Sequence, residues 1–352
     1  MGGKAASNLI PKLIANGASE SLKFSKIASD DMGSLFNEVV RPILSELSGA
    51  GLLDPEYKSE FGLGSTRLAA LAAGEKVKLL PSEDKKTISK ALRSKETYGD
   101  LDIDVVLRDG VSIKEVGEYL ESHYPDTIAY RAGRDEINLA YVWDGNNVIQ
   151  IDLVDVTGDK KNRLEFEQSS SIVDIASGVK GAIQTILLRA VLATKEMTQA
   201  EKQQVRDAIE THPEIEKWIS KGYDFKVPGV DKAARVGRWQ LGGNGIGLVV
   251  DLFKPGRKEG AVTKKTIKLT DEPSADFSDV DNIVDAIIPG ASLDTINSAV
   301  RLAKAFKAKY PGKVQELWDE FSDNMERHKD GMDEEEYKNG MNTLAKILDV
   351  GE

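Results

Sequence analysis

The sequence predicts an α+β fold, and three observations lead there. Four β-branched, apolar runs cluster in one third of the chain: "LDIDVVL", "TIAYR", "INLAYVW" and "NVIQIDLVDV". Apolar residues at helical spacing fill the stretches before and after them. The last two runs are joined by Asp144-Gly145-Asn146, a strong hairpin signal. Strands gathered in one stretch, flanked by helices, describe a core of about a hundred residues, within the usual range for a domain.

Taken in order, residues 1–50 read as helices. "SDDMGSLFNEVVRPILSELSGAG" opens on Ser29 or Asp30 as a cap, keeps helical spacing and closes on glycine, with Pro42 placed to kink it. A short strand leads into "FGLG". The stretch 69–97 reads as an insertion holding one short helix in "PSEDKKTISKALRSKE". Its seven Lys/Arg and four acids suit a solvated loop or a flap that closes over a ligand. "VSIKEVGEYLESHYP" is an amphipathic helix. From Ser171 the pattern is helical through "IVDIASGVKGAIQTILLRAVLATKE" and "TQAEKQQVRDAIETHPEIEKWISKG". Residues 226–270 read as strands around "LGGNGIG", which fits no dinucleotide or Walker spacing and reads as a Gly-rich hairpin. The remainder is helical. The expected organisation is therefore 1–50, N-terminal helices; 51–160, the mixed core; 161–225, a helical region; and 226–352, a basic β segment followed by an acidic helical region.

Composition narrows the chemistry. The chain has 352 residues, 40% hydrophobic and 30% charged, without an apolar run long enough to span a bilayer. With no cysteine, disulfides, thiolate metal sites and cysteine nucleophiles are excluded together. Three histidines, His123, His212 and His328, lie far apart in sequence, which disfavours a His-rich metal centre or a histidine-driven triad. The N-terminus lacks the apolar core of a signal peptide and has Ala6 where a myristoylation signal needs Ser or Thr, so a cytoplasmic location is expected. The net charge of −11 is unevenly distributed. Residues 226–268 carry ten Lys/Arg against three Asp/Glu, and 269–352 carry nine against nineteen. Either the basic segment faces a polyanion or the two surfaces pair with each other. Basic residues around Trp239, namely Lys232, Arg235, Arg238, Lys254, Arg257 and Lys258, suit a single-stranded nucleic-acid acceptor if the indole is exposed; otherwise Trp239 belongs to the core.

The strands carry charge where charge is expensive. Asp102 and Asp104 are two apart on an apolar strand, so both project from one face, and Asp152 lies central in a later strand. Carboxylates brought together this way repel unless a divalent ion neutralises them, and oxygen donors without Cys or His favour Mg²⁺ or Mn²⁺. The turn in "FGLGSTR" supplies a complement: Gly64 lets backbone approach a phosphate, and Ser65 offers a hydroxyl and an N–H. Arg67, two residues on, either neutralises a triphosphate or is an ordinary surface arginine.

This ordered set, "LGSTR", "LDIDVVL" and "VIQIDLVDV", resembles the signature of the DNA polymerase β-like nucleotidyltransferase superfamily. The resemblance spans about residues 57–160 and implies a short mixed sheet with flanking helices. It also implies that Asp102, Asp104 and Asp152 hold two metal ions, and that Gly64 and Ser65 contact the triphosphate. A helix after the third aspartate then holds the nucleotide, with Lys180 as its candidate phosphate contact and Gln184 a turn later. The 37 positions from Ser65 to Asp102 exceed the family's usual spacing, in keeping with an insertion. Two registers stay open, because Asp100-Leu101-Asp102 is also an Asp-x-Asp. The pair Asp102 and Asp104 is preferred because the apolar continuation "VVL" follows it, leaving Asp100 in the loop before the strand. The implied activity is transfer of a nucleoside monophosphate from an NTP to an acceptor hydroxyl with release of pyrophosphate, the acceptor being an RNA or tRNA 3′ end, a protein, a small molecule or a second nucleotide. The alternative is a binding or regulatory protein that keeps the fold without catalysis, as in toxin–antitoxin or phage gene sets.

Overall fold

The computed structural model describes residues 4–158, 160, 171–179, 181–228, 237–242, 245–256, 261–269, 273–329 and 332–351. The chain is α+β. It forms two compact units, one comprising 1–185, 294–302 and 327–347, the other 186–293, 303–326 and 348–352. Both units thus return to the chain after leaving it, unlike the four consecutive segments expected from sequence. No helix among the described residues is long and apolar enough to cross a membrane.

The first unit begins with helix α1 (Lys4–Ala15) and two short strands, β1 (Lys23–Phe24) and β2 (Ile27–Ala28). Helices α2 (Met32–Leu35) and α3 (Arg41–Gly49) follow, joined by a π-helical stretch over Phe36–Val40. That stretch immediately precedes Pro42, which has no N–H to give and takes the first turn of α3. At the place where a kink was expected, the helix is divided by this π-helical stretch. Neither Ser29 nor Asp30 is the cap: Ser29–Asp31 form a 3₁₀ turn, and the Ser29 hydroxyl donates to the Lys95 carbonyl. No strand forms at "FGLG"; Phe61 has φ of 48° within a loop that leads to Gly64, φ 50°, and α4 (Thr66–Ala72). The expected short helix of the insertion is α5 (Lys85–Ser94), capped by Asp84 accepting from the Thr87 N–H. Then come β3 (Thr97–Tyr98), β4 (Leu101–Val105), α6 (Ile113–His123), β5 (Ile128–Ala132), β6 (Glu136–Val142) and β7 (Asn147–Asp155).

β7 organises the main sheet. All but its first residue are buried. It pairs antiparallel with β6, which pairs with β5, and Gly145 takes φ of 82° in the connecting hairpin. On its other edge β1 and β4 lie end to end, both parallel to it. One face presents Ile103, Leu101, Ile137, Leu139, Ile151 and Leu153 to a core built with α2, α3 and α6. Each such side chain contributes about 1.5–3 kcal/mol on burial. On the opposite face, α1 covers Ala129, Ala140 and Val148 with Leu9 and Leu13, while Leu63 and Tyr57 pack on Val154. Between Val148 and Val154 lie Gln150 and Asp152. Strand alternation therefore puts the acids in the gap between two apolar covers.

Two buried carboxylates tie distant segments into this unit. Glu83 accepts from both Arg67 guanidinium nitrogens at 3.0 and 2.5 Å, from Leu80 N at 2.8 Å and from Ile172 N at 3.1 Å. Asp174, in α7 (Ile172–Ala176), accepts from Ser298 Oγ at 2.6 Å and from the Ala299 and Val300 N–H groups. Burial raises the Asp174 carboxyl to about 6 despite those donors.

The second unit contains most of α8 (Gly181–Ala193), where Ile186, Leu187 and Val191 are core, then α9 (Gln199–Thr211) and α10 (Pro213–Ile219). The expected hairpin forms between β8 (Gly237–Gly242) and β9 (Gly245–Pro255), with β10 (Val262–Lys268) as third strand. Helices fill the rest of the chain, with α11 (Val280–Ile287) in this unit.

Arg67 and Glu83 are almost completely buried and answer each other. Replacing Arg67 with Met leaves Glu83 charged in the interior and is expected to cost about 3–5 kcal/mol in chemical denaturation. Combined with Glu83→Leu, the loss should fall well short of the sum of the single losses, whereas additivity would show the pair to be uncoupled.

Candidate functional site

The acid-bearing face brings Asp102 and Asp152 together. They are direct partners in the parallel β4–β7 ladder, and Asn138 of β6 partners Asp152 on the other side. Parallel partners in register point to the same face, so the two carboxylates stand side by side. Asp152 is buried, and Gln150 Nε2 donates to both its oxygens at 3.1 and 2.9 Å, while Asn138 adds a further amide. Gln150 is held in turn, its Oε1 accepting from Ala6 N of α1 at 3.2 Å. Amide donors satisfy the oxygens but carry no net charge. Burial, joined by the nearby charges of Asp100 and Glu136, pushes the Asp152 carboxyl up to about 7.

Asp102 is in a harder position. Its backbone N–H donates to Thr66 Oγ1 at 2.7 Å, which fastens the start of α4 to β4. Burial first, then the charges of Asp100, Asp152 and Glu136, drive its carboxyl well above the ordinary carboxylate range, and Lys95 only partly offsets them. The two acids together destabilise their own ionised forms, which is the electrostatic condition for taking up a cation.

Asp104 is not part of this pair. It shares the face, but its carboxylate accepts from Ser59 Oγ at 2.9 Å, Glu60 N at 2.9 Å, Gly62 N at 3.3 Å and the Tyr57 hydroxyl. Four donors from one loop satisfy it, so Asp104 organises the approach to Gly64 instead of facing Asp152. The acids whose charge bears on Asp102 and Asp152 are Asp100 and Glu136. Asp100, half-buried just ahead of β4, corresponds to the alternative Asp-x-Asp register, and Glu136 heads β6 on the same face. The sequence offered a signal for the first, two overlapping Asp-x-Asp triplets, and none for the second, since its place depends on the antiparallel register.

Other expected site residues fare differently. Gly64 is buried and Ser65, half-buried, stands at the N-cap of α4 without a side-chain capping bond, one residue from the Thr66 link to Asp102. Arg67 is neither a surface residue nor a phosphate ligand: it is 5% exposed and its guanidinium is held by Glu83 and the Lys78 carbonyl. Lys180 lies outside the described residues. Gln184, near it in sequence, is buried and donates to the Ile296 carbonyl at 2.8 Å. In the basic segment, β8 alternation buries Trp239 and turns Arg238 to the other side, where it and Lys264 converge on Asp251. The indole is thus core, not an exposed stacking surface, and at least two of the cations are paired internally. Lys254 donates to the Lys221 carbonyl, and Lys232, Arg235, Arg257 and Lys258 lie outside the described residues.

Among the described residues no three His, Asp or Glu side chains form a ready-made metal cage. Mg²⁺ is commonly held by one or two carboxylates together with substrate phosphates, and the Asp102–Asp152 pair fits that mode. No family model matches the chain, and neither a curated protein nor a solved structure does.

The raised carboxyl of Asp152 has a thermodynamic consequence. The folded protein keeps a proton there up to about pH 7, whereas the unfolded chain releases it near 3.9. The folded state binds more protons in that interval, so stability of the metal-free protein falls as pH rises from about 4 to 7, with Asp174 adding in the same direction up to about 6. Asp152→Asn should flatten the upper part of this profile and be more stable than the parent at pH 8, by on the order of 2–4 kcal/mol. Thermal denaturation at pH 5 and pH 8 measures it, and an equal pH dependence in both proteins would contradict the assignment.

Proposed function

We propose that the chain is a divalent-metal-dependent nucleotidyltransferase that moves a nucleoside monophosphate from an NTP to an acceptor hydroxyl. One observation carries the reading: the Gly64-Ser65-Thr66 turn is fastened by a 2.7 Å bond to the backbone of Asp102, which stands in register beside Asp152. A turn suited to phosphate and a pair of carboxylates suited to a cation are thus joined at one point. Asp102 and Asp152 hold the divalent ion that arrives with the triphosphate, and that ion supplies charge neutralisation on the phosphate oxygens. Ser65 offers its hydroxyl and backbone to the triphosphate. The acceptor oxygen bonds to the α-phosphorus, the bond from that phosphorus to the bridging oxygen of the β-phosphate breaks, and pyrophosphate departs. With Asp152 engaged by the ion, the acceptor proton passes to solvent as the new bond forms.

A second reading, a nucleotide-binding module without transfer, is favoured by the engagement of Asp104 with its loop, since the resemblance assigns three acids to metal and two face each other here. Incubation with each α-labelled NTP, Mg²⁺ or Mn²⁺ and total RNA or cell extract separates the two. The transferase reading predicts label transfer that falls at least about 100-fold in Asp102→Asn and Asp152→Asn while folding is retained. Asp104→Asn should instead lower the melting temperature, because an amide nitrogen meets donors in the loop. Binding of Mg²⁺·NTP without label transfer to any component identifies the module. Transfer that survives in both Asp102→Asn and Asp152→Asn refutes the transferase assignment.

A further inference from the structure

The second unit contains a cavity of about 530 Å³, the size range of small-molecule sites. Its floor is apolar: Ala193 at the end of α8, Met197, and Val205 and Ile209 one turn apart on α9. Gly237 forms part of the wall, where any side chain would strike Val205. Against this floor stand four cations, Lys195, Lys202, Arg206 and Lys313, and two carboxylates, Glu196 and Glu316, a balance of +2 in a chain of net charge −11.

The cations differ in how far they are satisfied. Lys313 pairs with Glu196 at 2.7 Å, so these two cancel. Lys195 donates to the Ala286 carbonyl at 2.9 Å and lies over the Trp239 ring; burial pulls its ammonium below the usual lysine range, and the charges of Glu201 and Asp285 offset this only in part. Lys202 and Arg206 project from adjacent turns of α9 at the rim. Arg206 bonds to the Gln203 amide oxygen, and neither residue has a carboxylate within ion-pair distance among the described residues. An apolar floor bordered by three cations, none of them in a direct ion pair among the described residues, is complementary to an amphiphilic anion.

We propose that this cavity binds an organic phosphate monoester, its head between Lys202, Arg206 and Lys195 and its apolar body over Val205 and Ile209. The number of donors selects the head group. Lys195, Lys202 and Arg206 together offer more N–H donors than a carboxylate's two oxygens and single charge can answer, whereas a phosphate monoester brings several acceptor oxygens and close to two negative charges at neutral pH. Arg206 adds the planar donor set suited to phosphate. The site is independent of the nucleotidyltransferase reading, since no residue of the first unit takes part.

Isothermal titration with three probes tests the assignment: hexyl phosphate, inorganic phosphate and hexanoate. Hexyl phosphate should bind at least tenfold tighter than either of the others, because it alone meets both the floor and the full charge. Lys202→Gln combined with Arg206→Gln changes two exposed side chains, leaves thermal unfolding unchanged, and should weaken hexyl phosphate at least tenfold. Asp102→Asn should leave that affinity as it is. The proposal is overturned if hexyl phosphate does not bind at millimolar concentration, if all three probes bind alike, or if the double variant binds like the parent. Loss of hexyl phosphate binding in Asp102→Asn overturns it too, by placing the ligand at the acid pair.

Discussion

Two carboxylates held in register on neighbouring parallel strands, without an equal positive charge beside them among the described residues, constrain the first unit more than any other feature. Asp102 and Asp152 cannot both ionise cheaply at this depth, and the surrounding structure is arranged around that fact. Gln150 donates from Nε2 to both oxygens of Asp152, and α1 reaches Gln150 through the Ala6 N–H, so the first helix is anchored to the acid it helps to bury. Thr66 holds the backbone of Asp102 and thereby fixes the turn that precedes α4. Asp104, on the same strand, gathers the 57–62 loop that leads into that turn. Three consecutive acids of alternating position, 100, 102 and 104, thus receive three different environments within about 13 Å of extended chain: a half-buried approach to the strand, a poorly satisfied site and a fully satisfied one.

This division of labour bears on function more than the count of acids does. A carboxylate with four donors has little to gain from a cation, while one pushed out of its ordinary range has much to gain. On the proposed function, the pair that remains, with phosphate-compatible backbone one residue from its Thr66 anchor, would be completed by the substrate's own phosphates and ion. The second unit offers the opposite polarity, cations over an apolar floor, within a chain that is acidic overall. On the two proposals each unit would bind a phosphorylated compound, one through a metal ion and one through lysine and arginine.

Much of the first unit was legible because period-two alternation and a burial requirement act locally. "NVIQIDLVDV" gave both the central strand and the acid-bearing face, and Asp144-Gly145 gave the hairpin. The helix at 85–94 falls within the charged run "PSEDKKTISKALRSKE" where one short helix was expected. What sequence could not supply depends on tertiary partners. Whether Asp100 or Asp104 joins Asp102 is decided by a loop, 57–62, whose donors have no sequence signature as a group. Arg67 looked solvent-facing because Glu83 lies sixteen residues away, beyond the reach of any local pattern. Trp239 was undecided between surface and core until β8 acquired a face. The interleaving of the two units is likewise set by contacts such as Asp174 with Ser298, separated by more than a hundred residues.

Carboxyl ¹³C NMR of aspartate-labelled protein, titrated with and without Mg²⁺ and a non-hydrolysable NTP, reads the acid pair directly and without reliance on turnover. The Asp152 resonance should titrate near pH 7 in the metal-free protein and move below the ordinary carboxylate range once ion and nucleotide are present. A resonance that titrates near 4 in both conditions would mean that the two acids neither burden each other nor await a cation.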